Sequence, residues 1–373
     1  MQKGDKKVLV GMSGGVDSAA AVWLLQKAGY EVSGLFIDFI GGEKSERDFE
    51  KAQKVADKLN VPICKFDAQK EFKEKIIDKF VADYEAGITP NPCVICNPEM
   101  KFKILIEEAD KFGIDKIATG HYARVRELKI KNEKLKIKEE LTKNQSTNCK
   151  LQITGYRLLI ACDSNKDQSY FLYRLNQTQL KRIVFPLGEY LKTEVRQIAQ
   201  KNNFELRDEK ESQDICFIPD NDFKKFIGQK IRNKSGEIVD KSGGKLGEHD
   251  GLHFYTIGQR KGINLGGDGP YYVIKKDQDK NQLVVSNNPE DLNCPDNSFK
   301  MGEVNWISPD LKFPLESKVK VRYHNSQEYA IITEENPGFY KVRFKKNQKA
   351  VTPGQSAVFY GDDGEVLGGG III

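Results

Sequence analysis

Short apolar runs alternate with helix-like segments through roughly the first 200 residues of the chain. The apolar runs have the length of buried β-strands and lie at 6–12, 31–38, 61–66 and 115–120. Apolar positions with helical spacing follow them at 17–28, 45–59, 71–85 and 99–112. Strands that alternate with helices are typical of a parallel sheet with helices on both faces. We therefore predict an α/β fold for this part of the chain.

The pattern changes near residue 207, where Gly and Asp clusters begin to separate short strand-like runs. Strands at this spacing, with turn signals between them, predict β-barrel or sandwich modules. We predict three domains: an α/β domain at 1–206, a small central β domain at 207–272 and a C-terminal β-barrel at 273–373. A lysine-rich insertion at about 127–155 interrupts the first domain, and its alternating pattern predicts a solvated β-hairpin.

Composition narrows the class of protein. A chain of 373 residues with 39% hydrophobic and 30% charged residues fits a soluble protein of several domains with packed cores. No apolar run reaches the ~18 residues that a membrane helix needs, so we expect no membrane partner. The seven cysteines are odd in number and irregularly spaced, which argues against a secreted disulfide framework and favours a cytoplasmic protein. The net charge of +5 permits nucleic-acid binding without establishing it.

The residues GMSGGVDS at 11–18 join the first predicted strand to the first predicted helix. Backbone N–H groups of the two adjacent glycines would lie at the helix N-terminus, where the helix dipole favours an anion. Ser13 and Ser18 add hydroxyl donors, and Asp17 is a candidate ligand for Mg²⁺ on a bound phosphate. The segment lacks the Gly-Lys-Ser/Thr of a Walker A loop and the G-x-G-x-x-G of a dinucleotide fold. Two glycines alone would fit an ordinary turn, but the full pattern predicts a phosphate site.

Ser-Gly-Gly-x-Asp-Ser after a first strand resembles the PP-loop of the ATP pyrophosphatases, whose fold is the adenine nucleotide alpha hydrolase-like parallel sheet. Enzymes with this loop cleave ATP between its α and β phosphates and adenylate an oxygen of their substrate. The resemblance implies ATP and Mg²⁺ as cofactors, with the pyrophosphate held by the loop and the adenine near residue 37. The implied ATP contacts are Gly11, Met12, Ser13, Gly14, Gly15, Val16, Asp17, Ser18, Ile37 and Gly120.

Further motifs select one family among the PP-loop proteins. They are TPNPCVICNPEMKF at 89–102, ATGHYARV at 118–125, NKDQSYFLYRL at 165–175, SQDICFIPD at 212–220, YTIGQRKG at 255–262 and VTPGQSAVFY at 351–360. In this order, and over residues 8–372, they resemble the bacterial tRNA-specific 2-thiouridylase family. The resemblance implies ATP-dependent 2-thiolation of the wobble uridine in tRNA anticodons. The C2 oxygen is adenylated, and sulfur from a cysteine persulfide replaces it, with release of AMP and pyrophosphate.

By the same resemblance, Cys216 carries the persulfide, and Cys96 is the second nucleophile, which forms a disulfide with Cys216 as the sulfur is released. Attack needs a thiolate, and the pattern places Cys96 just before a predicted helix N-terminus, which would favour that form. The implied partners are a tRNA with a wobble uridine and a persulfide donor or relay protein. The residues implied to contact the base and the rest of the tRNA are Asn91, Pro92, Cys93, His121, Lys166, Asp167, Gln168, Arg322, Tyr323 and Gln355.

Residue 93 departs from the family's pattern, because many members have Asp where this chain has Cys93. One interpretation is a neutral variant with an unchanged persulfide route. Another is that Cys93, Cys96 and Cys216 hold a [4Fe–4S] cluster with one iron left free to bind sulfide. Zn²⁺ would need a fourth ligand that the sequence does not indicate. Two other functions stay open: a different PP-loop ligase that adenylates a small metabolite, and an RNA-binding protein without catalysis.

Overall fold

The computed structural model describes residues 6–130, 152–204, 215–266, 269–309 and 311–373. Most of the predicted lysine-rich hairpin, residues 131–151, lies outside the described residues. Within the described ranges the strands form three sheets, and most of the helices surround the first of them.

Helices are concentrated in the first part of the chain. Among the residues that the structure describes, the α-helices are α1 (Val16–Lys27), α2 (Gly42–Leu59), α3 (Gln69–Phe72), α4 (Asp78–Glu85), α5 (Pro92–Cys96), α6 (Phe102–Lys111), α7 (Gln177–Arg182), α8 (Lys192–Lys201) and α9 (Phe223–Gly228). Two π-turns lie at Lys73–Ile77 and Asn97–Lys101. Short 3₁₀ turns lie at Ser169–Phe171, Pro219–Asn221, Leu252–Phe254, Pro289–Leu292 and Pro295–Asn297. None of the helices in the described ranges combines the length and the apolar character that a membrane crossing requires.

The first sheet is entirely parallel. The strands in the described ranges are β1 (Lys7–Gly11), β2 (Glu31–Asp38), β3 (Ile63–Asp67), β4 (Lys116–Ala118), β5 (Arg124–Ile130), β6 (Gln152–Leu159), β7 (Ile183–Val184), β8 (Gly236–Val239), β9 (Lys245–His249), β10 (Tyr272–Asp277), β11 (Gln282–Ser286), β12 (Ser298–Trp306), β13 (Leu315–Lys320), β14 (Glu328–Asn336), β15 (Phe339–Phe344), β16 (Ser356–Tyr360) and β17 (Glu365–Ile372). The first sheet has the order β3-β2-β1-β4-β7. The predicted α/β fold is confirmed, and β7 is a strand that the sequence pattern did not predict.

Strand β1 lies in the middle of this sheet and is buried on both faces. Val8 and Val10 pack in one cluster with helices α1 and α2, whereas Leu9 packs in another with helix α6. Alternate side chains of a strand point to opposite faces, so this short apolar run contributes to both interfaces. The packing fixes the end of β1, at Gly11, where the glycine-rich loop begins.

The other two sheets are built from the later part of the chain, except that the hairpin of β5 and β6 joins one of them. Among the described residues, six strands close into a barrel with the order β12-β15-β14-β13-β16-β17, because β12 also pairs with β17. The hairpin of β5 and β6 extends this sheet, since Leu158 of β6 pairs with Val366 of β17. The small central sheet has the order β10-β11-β8-β9. The predicted succession of α/β domain, small central domain and C-terminal barrel is therefore confirmed.

The π-turn at 97–101 follows α5 directly and leads into α6. Pro98 lies in it, and proline has no N–H with which to continue the i→i−4 hydrogen bonds of an α-helix. The Phe102 N–H closes the π-turn by donating to the Asn97 carbonyl, five residues back. The segment predicted to become helical only at 99 is thus helical from Pro92 onwards.

Candidate active site

The glycine-rich loop at 11–18 connects β1 to α1 in a conformation that only glycine permits at one position. Gly14 has φ +77°, and a Cβ atom there would lie 2.5 Å from the Asp48 carbonyl oxygen. Another residue would be strained and would clash with backbone. The Ser18 hydroxyl donates to the Gly15 carbonyl at 2.9 Å and ties the loop to the first turn of α1.

The N-terminus of α1 is open to a ligand. The first N–H groups of a helix lack intrahelical partners, and no side chain of the described chain caps this one. Ser13 and Gly15 are exposed beside it, whereas Met12 is buried. The N–H groups and the helix dipole together form a binding site for an anion such as a phosphate.

Two further residues expected to contact ATP lie at the same edge of the sheet. Ile37 is half-buried near the end of β2, and Gly120 follows the end of β4. A Cβ atom at Gly120 would lie 2.9 Å from the Asp17 carbonyl carbon, so glycine lets this segment approach the first turn of α1. Because β2, β1 and β4 are neighbours, their carboxyl ends frame one crevice, the usual ligand site of open α/β sheets.

Asp17 is neutralised by a lysine that the sequence analysis missed. The Lys192 Nζ lies 2.7 Å from Asp17 Oδ1 and 2.8 Å from Oδ2, and the Tyr122 hydroxyl donates to Oδ1 at 2.9 Å. The Lys192 ammonium also lies 5.6 Å from the centre of the Tyr122 ring. Lys192 is buried at the start of α8, which holds its positive charge beside the phosphate loop.

The donor set around Asp17 does not fit the expected Mg²⁺ site. Both carboxylate oxygens already accept hydrogen bonds from Lys192, and one also accepts from Tyr122. A cation that prefers oxygen ligands would have to displace the ammonium before it could bind here. In this arrangement the Lys192 ammonium balances the charge of the Asp17 carboxylate, and the expected Mg²⁺ stays a prediction.

Three cysteines from two segments come together in the same domain. Cys93 and Cys96 are half-buried on α5, and Cys216 is exposed in a turn closed by the Ile218 N–H and the Ile215 carbonyl. All three are free thiols, and Cys216 acts electrostatically on both of the others. The pattern of SQDICFIPD at 212–220 predicts a short strand around Cys216, but this prediction is wrong, because the residue lies in the turn.

The environment of the thiols disfavours the thiolate form. Burial raises the pKa of Cys93 to about 11 and that of Cys96 to about 12. Burial also raises the pKa of the Cys216 thiol, although Cys216 as a whole residue is exposed. The expectation that a helix N-terminus favours a Cys96 thiolate is wrong, because Cys96 is the last residue of α5 and the chain continues helically.

The three thiols do not form the predicted metal cradle. Within the described residues, no group of three or more His, Cys, Asp or Glu side chains is placed so that it could hold a metal ion. The [4Fe–4S] interpretation of Cys93, Cys96 and Cys216 is therefore not supported by the geometry, and the Zn²⁺ interpretation is not supported either.

His121 packs between the end of β4 and helix α6. Its Nδ1 is 2.7 Å from the Thr119 hydroxyl, and its ring lies between Phe102 at 5.7 Å and Phe185 at 6.1 Å. Burial, together with the Lys101 charge, lowers the pKa of His121 well below its usual value. The imidazole is therefore neutral at pH 7, and its expected contact with tRNA stays a prediction.

The motif at 165–175 uses its polar side chains to brace the turn after β6. Asp167 is buried and accepts from the N–H groups of Ala161 and Ser169 and from the Ser169 hydroxyl at 2.8 Å. Gln168 Oε1 accepts from the Tyr122 N–H at 2.9 Å, whereas Lys166 is half-buried. These bonds hold Tyr122 near Asp17, so the motif supports the nucleotide side of the site.

The remaining residues expected to contact tRNA lie where the domains meet. Arg322 donates to the Ile257 carbonyl at 2.7 Å and to the Thr352 hydroxyl, and burial lowers its pKa. Gln355 Nε2 donates to the Thr89 carbonyl at 2.8 Å. These bonds connect the barrel to the central domain and to the loop that leads into α5.

Two aromatic and loop contacts complete this junction. The Tyr323 ring packs 4.6 Å from Phe171. Asn91 is the half-buried N-cap residue of α5, and Pro92, its first helical residue, is buried. The contacts of all these residues with tRNA stay predictions, because their described partners are within the protein.

Comparison with known proteins identifies the family over nearly the whole chain. The model described as tRNA methyl transferase HUP domain matches residues 6–220, the tRNA methyl transferase PRC-barrel domain model matches 224–287, and the aminomethyltransferase beta-barrel domain model matches 296–372. Among solved structures, the U34-tRNA thiolase NcsA of Methanococcus maripaludis covers 58% of this chain and 62% of its own, with a TM-score of 0.35 and 17% identity. That likeness is too low to support a conclusion.

Curated relatives are much more similar. A tRNA-specific 2-thiouridylase of Syntrophomonas wolfei is 40% identical over 366 residues, which cover 98% of this chain and 99% of the relative. One from Clostridium tetani is 41% identical over 380 residues, and one from Halothermothrix orenii is 40% identical over 380, each covering 98% of both chains. The chain therefore belongs to the family of tRNA-specific 2-thiouridylases.

Proposed function

We propose that the chain is an ATP-dependent sulfurtransferase that replaces the C2 oxygen of a wobble uridine in tRNA with sulfur. The observation that carries this proposal is the juxtaposition of an open phosphate loop with free thiols in one α/β domain. Relatives that match 98% of the chain bear the name tRNA-specific 2-thiouridylase.

The first step activates a poor leaving group. The uridine C2 oxygen attacks the α-phosphorus of ATP, the bond to the β-phosphate oxygen breaks, and pyrophosphate leaves. The base loses its N3 proton and carries AMP on its C2 oxygen. The loop at 11–18 binds the pyrophosphate through backbone N–H groups, and the Lys192 ammonium adds positive charge beside it.

The second step exchanges oxygen for sulfur. The terminal sulfur of a Cys216 persulfide attacks C2, and the carbon–oxygen bond breaks with release of AMP. A Cys96 thiolate then attacks Cys216 Sγ, and the electron pair of the persulfide bond passes to the sulfur on C2. This leaves 2-thiouridine, which regains the N3 proton, and a Cys96–Cys216 disulfide that an external thiol reduces.

The exposure of Cys216 fits the delivery of sulfur from outside. Cys216 is an exposed residue, whereas Cys93 and Cys96 are half-buried on α5. A persulfide donor or relay protein therefore has access to the acceptor sulfur and less access to the resolving one. We assign no proton-transfer role to Cys93, because a thiol with a pKa of about 11 is a poor acid–base catalyst at neutral pH.

The direct test is nucleoside analysis of unmodified tRNA after incubation with the protein, ATP and a persulfide donor. We expect 2-thiouridine with the native chain and with Cys64→Ala, whose thiol is exposed on β3 away from the active-site segments. Cys216→Ala and Cys96→Ala should each reduce thiolation by at least about a thousandfold, because each removes a reacting sulfur.

Three outcomes would reject the proposal. One is 2-thiouridine formation at normal rates by Cys216→Ala or Cys96→Ala. The second is AMP release with a small carboxylate or carbonyl metabolite but not with tRNA, which would identify a different PP-loop ligase. ATP-independent binding of tRNA without turnover would likewise identify a non-catalytic RNA-binding protein.

A further inference from the structure

Lys101 is a cation without a counter-ion in the cysteine site. It is half-buried at the end of the π-turn 97–101, and it makes no hydrogen bond or ion pair with any part of the chain that the structure describes. Lys103, two residues later, is exposed and pairs with Glu71 and Glu107. The Lys101 ammonium therefore has no carboxylate partner among the described residues and is free to pair with another anion.

The π-turn directs Lys101 towards the thiols. Five residues separate it from Cys96, and in a regular α-helix that spacing puts two side chains on different faces. In a π-turn each N–H reaches back five residues, so residues five apart lie close to the same face. Pro98 favours this wider turn, and the sequence therefore positions the ammonium on the side of α5 that carries Cys96.

The ammonium acts on every sulfur in the site. Its charge lowers the pKa of Cys93, Cys96 and Cys216, in each case against the effect of burial. In the described residues, the other charged side chain that acts on these sulfurs is Lys44 of α2, which faces Cys216. His121, also near Lys101, stays neutral and adds no charge.

We propose that the Lys101 ammonium is the counter-ion of the sulfur anions in this site: it stabilises the Cys96 thiolate and the terminal sulfur of a Cys216 persulfide. The inference rests on the proposed function, because that function requires both anions. Lys101 does not react with the substrate itself, and its role is to hold a positive charge beside the reacting sulfurs. The Cys96 thiolate and the persulfide anion therefore form beside an ammonium that has no other partner among the described residues.

The test measures the sulfur anions directly and needs neither tRNA nor ATP. The full-length protein is reduced, Cys216 is loaded with sulfur by an inorganic polysulfide, and the loaded protein is labelled with iodoacetamide from about pH 6 to about pH 10. Mass spectrometry resolves labelling at the Cys216 persulfide, at Cys96 and at the exposed Cys64, which serves as an internal reference.

We expect Lys101→Met and Lys101→Gln to move the labelling midpoint of the Cys216 persulfide upwards by about one pH unit, which is a tenfold loss of anion below the midpoint. Labelling of Cys96 should slow by a similar factor. Lys101→Arg should restore both, because it keeps the charge and changes the shape. Lys103→Met is the matched control and should change neither, since that lysine pairs elsewhere.

The proposal is overturned if the neutral variants label Cys216 and Cys96 with the same pH dependence as the native chain, whatever happens to thiolation. It is also overturned if Lys101→Arg behaves like Lys101→Met, because size would then matter and charge would not. If Lys101→Met does not fold, Lys101→Gln gives the same comparison with a polar side chain. If the native chain does not thiolate tRNA but the Lys101 variants shift the labelling midpoint as expected, the proposed function is contradicted and the role of Lys101 is not.

Discussion

The nucleotide loop and the cysteine site lie in the same domain, yet their charges are arranged in opposite ways. In the loop, the carboxylate of Asp17 already has its cation, Lys192, and the helix N-terminus is open. In the cysteine site, the thiols are protonated at neutral pH and Lys101 has no described partner. The first site is ready for its anion before the substrate arrives, whereas the second gains its anions only when sulfur is delivered.

Because of this difference, substitutions in the two sites should affect different steps of the reaction. Variants in the loop should impair adenylation and leave sulfur chemistry intact, and variants around the thiols should do the reverse. A variant that impaired both equally would show that the two sites are not separate.

The largest loop effect is expected from Lys192→Met. This change removes the buried ammonium beside the phosphates and leaves the Asp17 carboxylate without its cation. We expect the rate of AMP formation from ATP and tRNA to fall by about 10²–10³-fold, the usual loss when one charge-stabilising donor is removed. Iodoacetamide labelling of Cys96 should not change. Lys201→Met, an exposed lysine at the other end of α8, is the control, and equal losses in the two variants would refute the assignment.

A smaller loss than that of Lys192→Met is expected from Gly14→Ala, with Gly29→Ala as its control. Both glycines have positive φ, +77° and +85°, but a Cβ atom at Gly14 would lie 2.5 Å from a backbone oxygen, while one at Gly29 meets nothing within 4 Å. Both variants should lose about 1 kcal/mol of unfolding free energy from backbone strain, and Gly14→Ala should lose more because of its clash with the Asp48 carbonyl. Gly14→Ala alone should also weaken ATP binding, about tenfold or more, because the loop must shift.

Denaturant titration and ATP-binding measurements check this pair. Similar ATP affinities in Gly14→Ala and Gly29→Ala would show that the close approach to Asp48 does not shape the loop.

The smallest effect is a pH dependence of stability from His121. Its pKa is well below the usual value of 6.5 in the folded state, so the unfolded chain binds a proton more readily as the pH falls below about 6.5. The contribution to the unfolding free energy is fully present above that pH and should decline by up to ~1.4 kcal/mol per pH unit below it. His121→Asn should flatten this decline, whereas His324→Asn, at an exposed position, should not.

Chemical denaturation at a series of pH values checks the His121 prediction. Identical acid slopes for the native chain and His121→Asn would refute it.

The sequence predicted the parts of the site that are contiguous. The residues of the loop at 11–18 fold together because their order alone determines the turn, through a glycine with positive φ and a serine that bonds to the loop carbonyl. The sequence also predicted the parallel sheet, because its strands are short apolar runs separated by helical spacing. Family resemblance identified Cys96 and Cys216, which are 120 residues apart and could not be paired by pattern.

The parts that the sequence missed depend on tertiary contacts. Lys192 lies 175 residues from Asp17, and nothing in its local pattern distinguishes it from a surface lysine at a helix start. The environment of Cys96 was predicted wrongly because a helix was expected only from 99, whereas Pro92 starts a helix and Pro98 widens it into a π-turn. Two prolines in one short segment were the available signal for that turn.

The most direct test of the account is to isolate the uridine after its C2 oxygen has been adenylated and before sulfur is transferred to it. Cys216→Ala protein is mixed with unmodified tRNA and ATP labelled at the α-phosphate, and the tRNA is isolated under denaturing conditions. The account predicts labelled AMP joined to the tRNA, with pyrophosphate released and no 2-thiouridine formed. If the native chain thiolates tRNA but no nucleotide is ever found on the tRNA of the variant, activation of the oxygen does not precede sulfur transfer and the account is contradicted.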